Sequence, residues 1–263
     1  MLQKFGKPVR TRIFIRKFAK ISPMKRIWWY LGFFVLLLAG FWFFLFKDHD
    51  FSQSSLAVIN PNVARFSFID QNGKTVTESN VDGKVYVAEF FFTTCGNICP
   101  KMNANMRRIF DKYKNESGFM ILSHTVMPET DSVPKLKAYE RRMINGELRK
   151  SPDGTYDIIA DSAKINAKQP DNPNWRFLTG DKSELYRMAR QQGYLIDNHK
   201  TDSLQNISNQ FIHTQFFALV DKQRRVRGIY DGLKEAEIQK LMLDIDDLLK
   251  EKENHQHFLN GSN

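Results

Sequence analysis

The chain has 263 residues, with 39 lysines and arginines against 29 aspartates and glutamates. Nine of the basic residues and none of the acidic ones lie within residues 1–26, so the rest of the chain is almost neutral, with 30 basic and 29 acidic residues. This distribution argues against a nucleic-acid-binding protein, whose folded domain needs clustered positive charge. The two cysteines are too few for a disulfide scaffold, a four-cysteine zinc site or a cysteine-ligated iron–sulfur cluster.

A charge-free run of twenty residues, 27–46, follows the basic leader. This is the length that a helix needs to cross the hydrocarbon core of a membrane, and the aromatic residues near its ends suit the interface. We predict a cytoplasmic leader (1–26), a transmembrane helix (27–46) and an extracytoplasmic remainder, on the periplasmic side of a bacterial inner membrane or its equivalent. A cleaved signal peptide is the alternative, because residues 55–57 form a small-x-small triplet, but the apolar run is longer than a usual signal-peptide core.

The rest of the chain predicts a short tether followed by an α/β domain. Residues 47–63 are polar and form the tether, residues 64–250 form the domain and residues 251–263 form a polar tail. The order of elements predicts a thioredoxin-like central sheet with flanking helices. The predicted elements are a hairpin with an Asn-Gly turn (66–77), a buried strand (85–92), a helix (101–113), a strand (119–127), a helix (132–143), a polar surface excursion (146–174), a helix (181–192), a polar stretch (193–210), a hairpin (216–230) and a helix (235–249).

The two cysteines, Cys95 and Cys99, lie where the buried strand gives way to a helix, which is where α/β sheets place their sites. In helical geometry this spacing puts both side chains on one face, about 5–6 Å apart at Cβ, so the sulfurs can bind one metal ion or close a disulfide. A helix N-terminus also favours thiolate. Two unconnected core cysteines are the alternative, since free cysteine is often buried. Because both cysteines lie within one turn, we favour a site.

The spacing differs from the Cys-x-x-Cys-His of c-type haem and from the Cys-x-x-Cys of most dithiol oxidoreductases. Thiolates are soft donors that select Cu(I), and a site that also holds Cu(II) generally adds an imidazole. His213, at the end of the polar stretch before the strand at 216–220, is the candidate, with a structural histidine as an equal alternative. His124 ends a strand and fits a core histidine. His255 and His257 lie in the tail, where solvated disorder is favoured over metal capture.

Four stretches together resemble the Sco (SenC) family of membrane-anchored, thioredoxin-fold copper proteins, which help to assemble the dinuclear copper site of cytochrome c oxidase. The resemblance covers residues 60–250. It implies that one copper ion, as Cu(I) or Cu(II), binds to Cys95, Cys99 and His213. The stretches are Asn72-Gly73-Lys74 with Gly83-Lys84-Val85, the FTTCGNICP segment at 92–100, the WRFLTG segment at 175–180, and Ile212-His213-Thr214 with the segments at 219–221 and 227–232.

Two positions depart from the family pattern. Met127 precedes Pro128 where the family usually has aspartate, which puts in question any role for that acid beside the site. Arg224 stands at a hairpin position often held by glycine, which implies a differently shaped turn.

The resemblance implies a metallochaperone that delivers copper to the copper-site subunit of cytochrome c oxidase by ligand exchange, without catalysing a reaction. The alternative is a thiol–disulfide oxidoreductase that keeps the copper-site cysteines of the oxidase reduced, with Cys95 and Cys99 as its redox pair. Redox sensing is a third interpretation. The sequence alone does not separate these three roles, and it does not indicate the upstream copper donor.

Overall fold

The structure is a computed structural model that describes residues 23–46, 56–160, 172, 174–190, 193–196 and 214–251. The chain divides into two units, residues 1–51 and 52–263. In the first unit, α1 (Pro23–Phe46) contains the stretch Ile27–Phe44, which has a mean hydropathy of 1.9 and is not covered by other parts of the chain. By length and composition, this helix could cross a membrane.

The second unit is built on a seven-stranded mixed sheet with the order β2-β1-β7-β4-β3-β8-β9. The parallel strands β7, β4 and β3 form its centre, and antiparallel strands flank them on both sides. The strands of this sheet are β1 (Ser67–Asp70), β2 (Thr75–Thr77), β3 (Val85–Phe91), β4 (Phe119–Thr125), β7 (Trp175–Thr179), β8 (Phe216–Val220) and β9 (Val226–Asp231). The strands β5 (Glu147–Lys150) and β6 (Tyr156–Ile159) form a separate hairpin.

Within the described residues, four helices cover the sheet, and the sheet separates two hydrophobic cores. They are α2 (Cys99–Tyr113), α3 (Val133–Asn145), α4 (Lys182–Ala189) and α5 (Glu235–Lys250). Every residue of β3 and β4 is buried, because their nearly unbroken apolar runs face a core on each side of the sheet. Alternate β3 residues such as Val87 and Phe91 pack with α2, α3 and α5, whereas Tyr86 and Phe90 pack with α4. The predicted central sheet with flanking helices is therefore confirmed.

The predicted elements form with small shifts at their ends. The Asn-Gly hairpin is present, with Gly73 at a φ of 75°, and α2 begins at Cys99, two residues before its predicted start. The predicted polar surface excursion at 146–174 contains the β5–β6 hairpin, whose residues are exposed or half-buried. Strand β7 was missed, although it lies between β1 and β4 in the sheet.

The described part of the predicted tether, from Leu56 onward, lies along β9. The backbone N–H of Ile59 donates to the carbonyl oxygen of Val226 at 2.8 Å, and the N–H of Val226 donates to Asn60 at 2.9 Å. The N–H of Val63 donates to the carbonyl of Arg224 at 2.9 Å. These bonds cover the first residue of β9 and the turn before it with the chain's own backbone.

The buried guanidinium of Arg227 joins the first and last described segments of the second unit. It donates to the carbonyl oxygen of Leu56 at 2.7 Å and forms ion pairs with Asp221 at 2.8 Å and Glu251 at 3.1 Å. In the turn before it, Arg224 has a φ of 60°, the left-handed region that glycine favours. The arginine therefore strains a turn whose conformation suits glycine, by an amount on the order of 1 kcal/mol.

Candidate metal centre

The two cysteines face each other across the loop that connects β3 to α2. Cys95 lies in this loop and is half-buried, whereas Cys99 is the first residue of α2 and is only 4% exposed. Both are free thiols, and they lie close enough for Cys95 to raise the pKa of the Cys99 thiol. The expectation that helical geometry aligns the two side chains was wrong, because the helix begins only at Cys99. The loop, rather than the helix, sets the position of Cys95.

Burial dominates the electrostatics of Cys99. It raises the pKa of the Cys99 thiol well above its usual range, and the neighbouring Cys95 raises it further, while a backbone bond from Phe92 lowers it. Burial therefore outweighs the field of the helix N-terminus that we expected to favour thiolate. Cys99 keeps its proton until a metal ion or a sulfur partner replaces it.

A buried carboxylate holds the loop that carries Cys95. Asp131 is completely buried, and it accepts hydrogen bonds from the backbone N–H of Thr93 at 3.1 Å and from the Thr93 hydroxyl at 2.5 Å. The hydroxyl of Thr125, at the end of β4, donates to the same carboxylate at 2.5 Å. The sequence analysis missed this residue, because an acid one position before the helix N-cap Ser132 is typical of an exposed helix start.

A second buried acid, Glu89, lies on the face of β3 that packs against α2. It accepts a hydrogen bond from Ser123 at 2.5 Å, and Ser123 accepts one from the indole N–H of Trp175 at 2.8 Å. Burial raises the pKa of Glu89 to about 7, although the Ser123 bond lowers it. Oε2 of Glu89 has no hydrogen-bond partner within the described residues. The sequence analysis also missed Glu89, although an acid within the apolar run at 85–92 was a visible signal.

His124 belongs to the core on the other face of the sheet. Its ring packs against Phe68, Phe90 and Tyr194, and its Nδ1 lies 3.4 Å from the carbonyl oxygen of Glu89. Burial lowers the pKa of His124 to about 4. The interpretation as a core histidine holds, but Nε2 has no hydrogen-bond partner in the described part of the chain.

The other histidines considered as ligands, His213, His255 and His257, lie outside the described residues. Within residues 56–160, 172, 174–190, 193–196 and 214–251, no group of three or more His, Cys, Asp or Glu side chains is arranged to hold a metal ion. Cys95 and Cys99 thus contribute two soft donors, and His213 stays a predicted third ligand.

Residues 58–148 and 164–250 match the model of one protein family, SCO1/SenC. The chain belongs to the SCO1/SenC family. The end of β5, the turn after it and strand β6 lie between the two matched parts. Both cysteines, Glu89 and Asp131 lie within the first matched part.

Relatives and solved structures resemble this SCO1/SenC protein over most of its length. It is 29% identical to the SCO1 protein homolog of Bacillus subtilis (strain 168) over 204 residues, which cover 77% of this chain and 90% of the relative. It is 27% identical to the mitochondrial protein SCO1 homolog 1 of Arabidopsis thaliana over 198 residues, covering 66% and 58% of the two chains.

Two solved structures share the fold. The structure of BsSco, described as a member of the Sco family of cytochrome c oxidase assembly proteins with a disulfide switch, is 27% identical with a TM-score of 0.53 and covers 76% of this chain and 100% of its own. A SCO1/SenC family lipoprotein from Bacillus anthracis is 26% identical with a TM-score of 0.52, covering 73% and 97%.

Proposed function

We propose that this protein binds one copper ion through Cys95, Cys99 and His213 and delivers it to the copper-site subunit of cytochrome c oxidase. The observation that carries the proposal is the pairing of the chain's two cysteines, which are free thiols close to each other, after the end of the central strand β3 and at the start of α2. Two neighbouring thiols suit Cu(I). A protein of Stutzerimonas stutzeri named as a putative copper-binding protein, 28% identical over 79 residues, and the oxidase-assembly description of BsSco add support.

The unequal exposure of the two thiols supports delivery by ligand exchange. Cys95 is half-buried, so a thiol of a docked acceptor reaches copper from the Cys95 side. Cys99 is buried, so it is the last cysteine to release the ion. Each acceptor thiolate that binds copper replaces one thiolate of this protein, and the released thiolate takes up a proton.

Copper binding is expected to require both cysteines. The full chain, purified in detergent and reduced without oxygen, should bind close to one Cu(I) per chain. Cys95→Ser and Cys99→Ser should each weaken binding at least about a hundredfold, because one thiolate alone cannot chelate the ion. Competition with a Cu(I) chelator measures the affinity, and Met127→Leu, which removes a partly buried thioether, is the control that should change nothing. Unaltered binding in either cysteine variant would exclude this site.

We also propose that α1 anchors the protein as a single-pass membrane protein with its domain outside the cytoplasm. The nine basic residues of the leader support this orientation, because positive charge beside a membrane span is retained in the cytoplasm. A reporter enzyme that works only outside the cytoplasm should be active when it is fused after Asn263. Activity of a reporter that works only in the cytoplasm would contradict the orientation.

A thiol–disulfide oxidoreductase is the second candidate function, favoured by the same unequal exposure and by the disulfide switch described for BsSco. The exposed Cys95 thiolate would attack a disulfide of an acceptor protein and form a mixed disulfide, releasing one acceptor thiolate. Cys99 would then lose its proton and attack the sulfur of Cys95, releasing the second acceptor thiolate. The acceptor gains two electrons, and Cys95 and Cys99 end as a disulfide.

A further inference from the structure

We infer that Asp131 is a positioning residue for the cysteine pair, which acts by holding the loop of Cys95 through Thr93. The inference rests on the proposed function in so far as Cys95 and Cys99 act together, whether on copper or in a disulfide. Asp131 itself touches neither a metal ion nor a substrate in this role. Its effect passes through the backbone between Thr93 and Cys95.

The geometry around Asp131 is that of a bridge between a loop and a strand. One carboxylate oxygen accepts the Thr93 hydroxyl at 2.5 Å, and the other accepts the Thr93 N–H at 3.1 Å and the Thr125 hydroxyl at 2.5 Å. All three groups are donors, which matches an acceptor-only carboxylate. The Thr125 hydroxyl also accepts the N–H of Met127 at 3.0 Å. Asp131 thus connects the end of β4 to the loop that carries Thr93 and Cys95.

The position of Cys99 is fixed independently of this bridge. Cys99 is buried in the core as part of α2, and the side-chain amide of Asn103 donates to its carbonyl oxygen at 2.9 Å. Between the two cysteines, Gly96 and Asn97 are exposed, whereas Ile98 and Cys95 itself pack against the core on the α2 face of the sheet. On the other side of Cys95, its backbone N–H donates to the carbonyl oxygen of Phe92 at 3.2 Å, next to Thr93. The bonds of Thr93 to Asp131 therefore contribute, together with this core packing, to the place of Cys95 relative to Cys99.

Closing a disulfide and chelating a metal ion with two thiols share one requirement, which is a short and well-defined distance between the sulfurs. A loop held in place raises the effective concentration of one thiol beside the other. Releasing the Thr93 hydroxyl from Asp131 should therefore disfavour the disulfide, and the same loss should appear in copper affinity. Releasing the Thr125 hydroxyl leaves the Thr93 bonds in place, and the backbone N–H of Asp131 still holds the residue by donating to the carbonyl oxygen of Met127 at 2.9 Å, so this change should affect neither.

The test compares Thr93→Val with Thr125→Val in the full chain in detergent. Each replacement keeps the shape of the side chain and removes one hydroxyl from the same carboxylate, so both should lower the midpoint of thermal unfolding. Thr125→Val should lower it at least as much as Thr93→Val, because the Thr125 hydroxyl also accepts the Met127 N–H. The equilibrium between the dithiol and the Cys95–Cys99 disulfide is measured in glutathione buffers without metal. Thr93→Val should lower the equilibrium constant for disulfide formation about tenfold, which is about 30 mV for a two-electron couple. Thr125→Val should stay within about twofold of the wild type, and Thr93→Ser should restore the wild-type value.

Equal shifts in the two valine variants, or an unchanged constant in Thr93→Val, would overturn the inference. The pair Thr93→Ala and Thr125→Ala repeats the comparison with smaller side chains and must give the same order. The glutathione equilibrium is measured without copper. If the chain binds no copper, the proposed function is contradicted, but the positioning role of Asp131 is still tested.

Discussion

His213→Ala is expected to abolish the intense sulfur-to-copper charge-transfer absorption of the Cu(II) form, while weakening Cu(I) binding by no more than about tenfold. Cu(I) is satisfied by two thiolates, whereas Cu(II) requires more donors with a nitrogen among them. The measurements are the absorption spectrum of the Cu(II)-loaded full chain and competition with a Cu(I) chelator. His255→Ala is the matched control, since it removes an imidazole from the tail, and it should keep the spectrum.

The same variant separates the two candidate functions. In a thiol–disulfide oxidoreductase, the rate follows the thiolate character of Cys95 and Cys99, so reduction of an oxidised acceptor peptide does not need His213 as a ligand. Loss of the Cu(II) spectrum with peptide reduction intact supports a copper carrier. A spectrum unchanged by His213→Ala would exclude His213 as the third ligand and would favour the oxidoreductase function.

The second large effect concerns the stability of the fold, which should depend on pH in opposite directions through the buried groups Glu89 and His124. Burial raises the pKa of Glu89 from 4.5 in the unfolded chain to about 7. The folded protein thus favours the neutral carboxyl. The contribution of Glu89 to the free energy of unfolding is fully present below pH 4.5 and is lost as the pH rises through 7. The loss amounts to about 3 kcal/mol, since one pKa unit corresponds to about 1.4 kcal/mol.

His124 acts in the opposite direction over nearly the same range. Burial lowers its pKa from 6.5 in the unfolded chain to about 4, so its contribution is present above pH 6.5 and is lost as the pH falls through 4. Between pH 4.5 and 6.5, the two slopes should nearly cancel in the wild type. Glu89→Gln should then show stability that rises with pH, and His124→Leu should show stability that falls.

Urea unfolding of the full chain at pH 4.5, 5.5, 6.5 and 7.5 measures these slopes. The two variants act as controls for each other, because each retains the group that the other lacks. Parallel pH profiles for the wild type and both variants would show that burial does not shift these two groups as described.

The sequence predicted the parts of the site that depend on local pattern. The apolar run of β3 and the two cysteines that follow it located the candidate site, and hydrophobic alternation with turn residues gave the order of most strands and helices. Strand β7 was missed because it has only five residues and directly follows a polar stretch, although parallel pairing with β4 buries Trp175 completely.

The role of Asp131 could not be read from the sequence, because it depends on where the end of β4 meets a loop that lies 38 residues earlier in the chain. The helical alignment of the cysteines failed for a related reason. Two residues spaced by four align on one face only if both lie in the helix. Where a helix starts depends on the contacts of the residues before it, and here the loop keeps Cys95 outside α2.

The backbone segment at 59–63 also occupies the start of the outer edge of β9, where another chain could otherwise pair. The last strand of an open sheet exposes N–H and C=O groups to which another chain can add a strand, and this is a common route to aggregation. Here the N–H of Val226 and the carbonyl oxygens of Arg224 and Val226 are already bonded to the segment that enters the domain. Copies of this protein brought close together would have to displace their own entry segment, held at Leu56 by Arg227, before they could pair at the Val226 end of this edge.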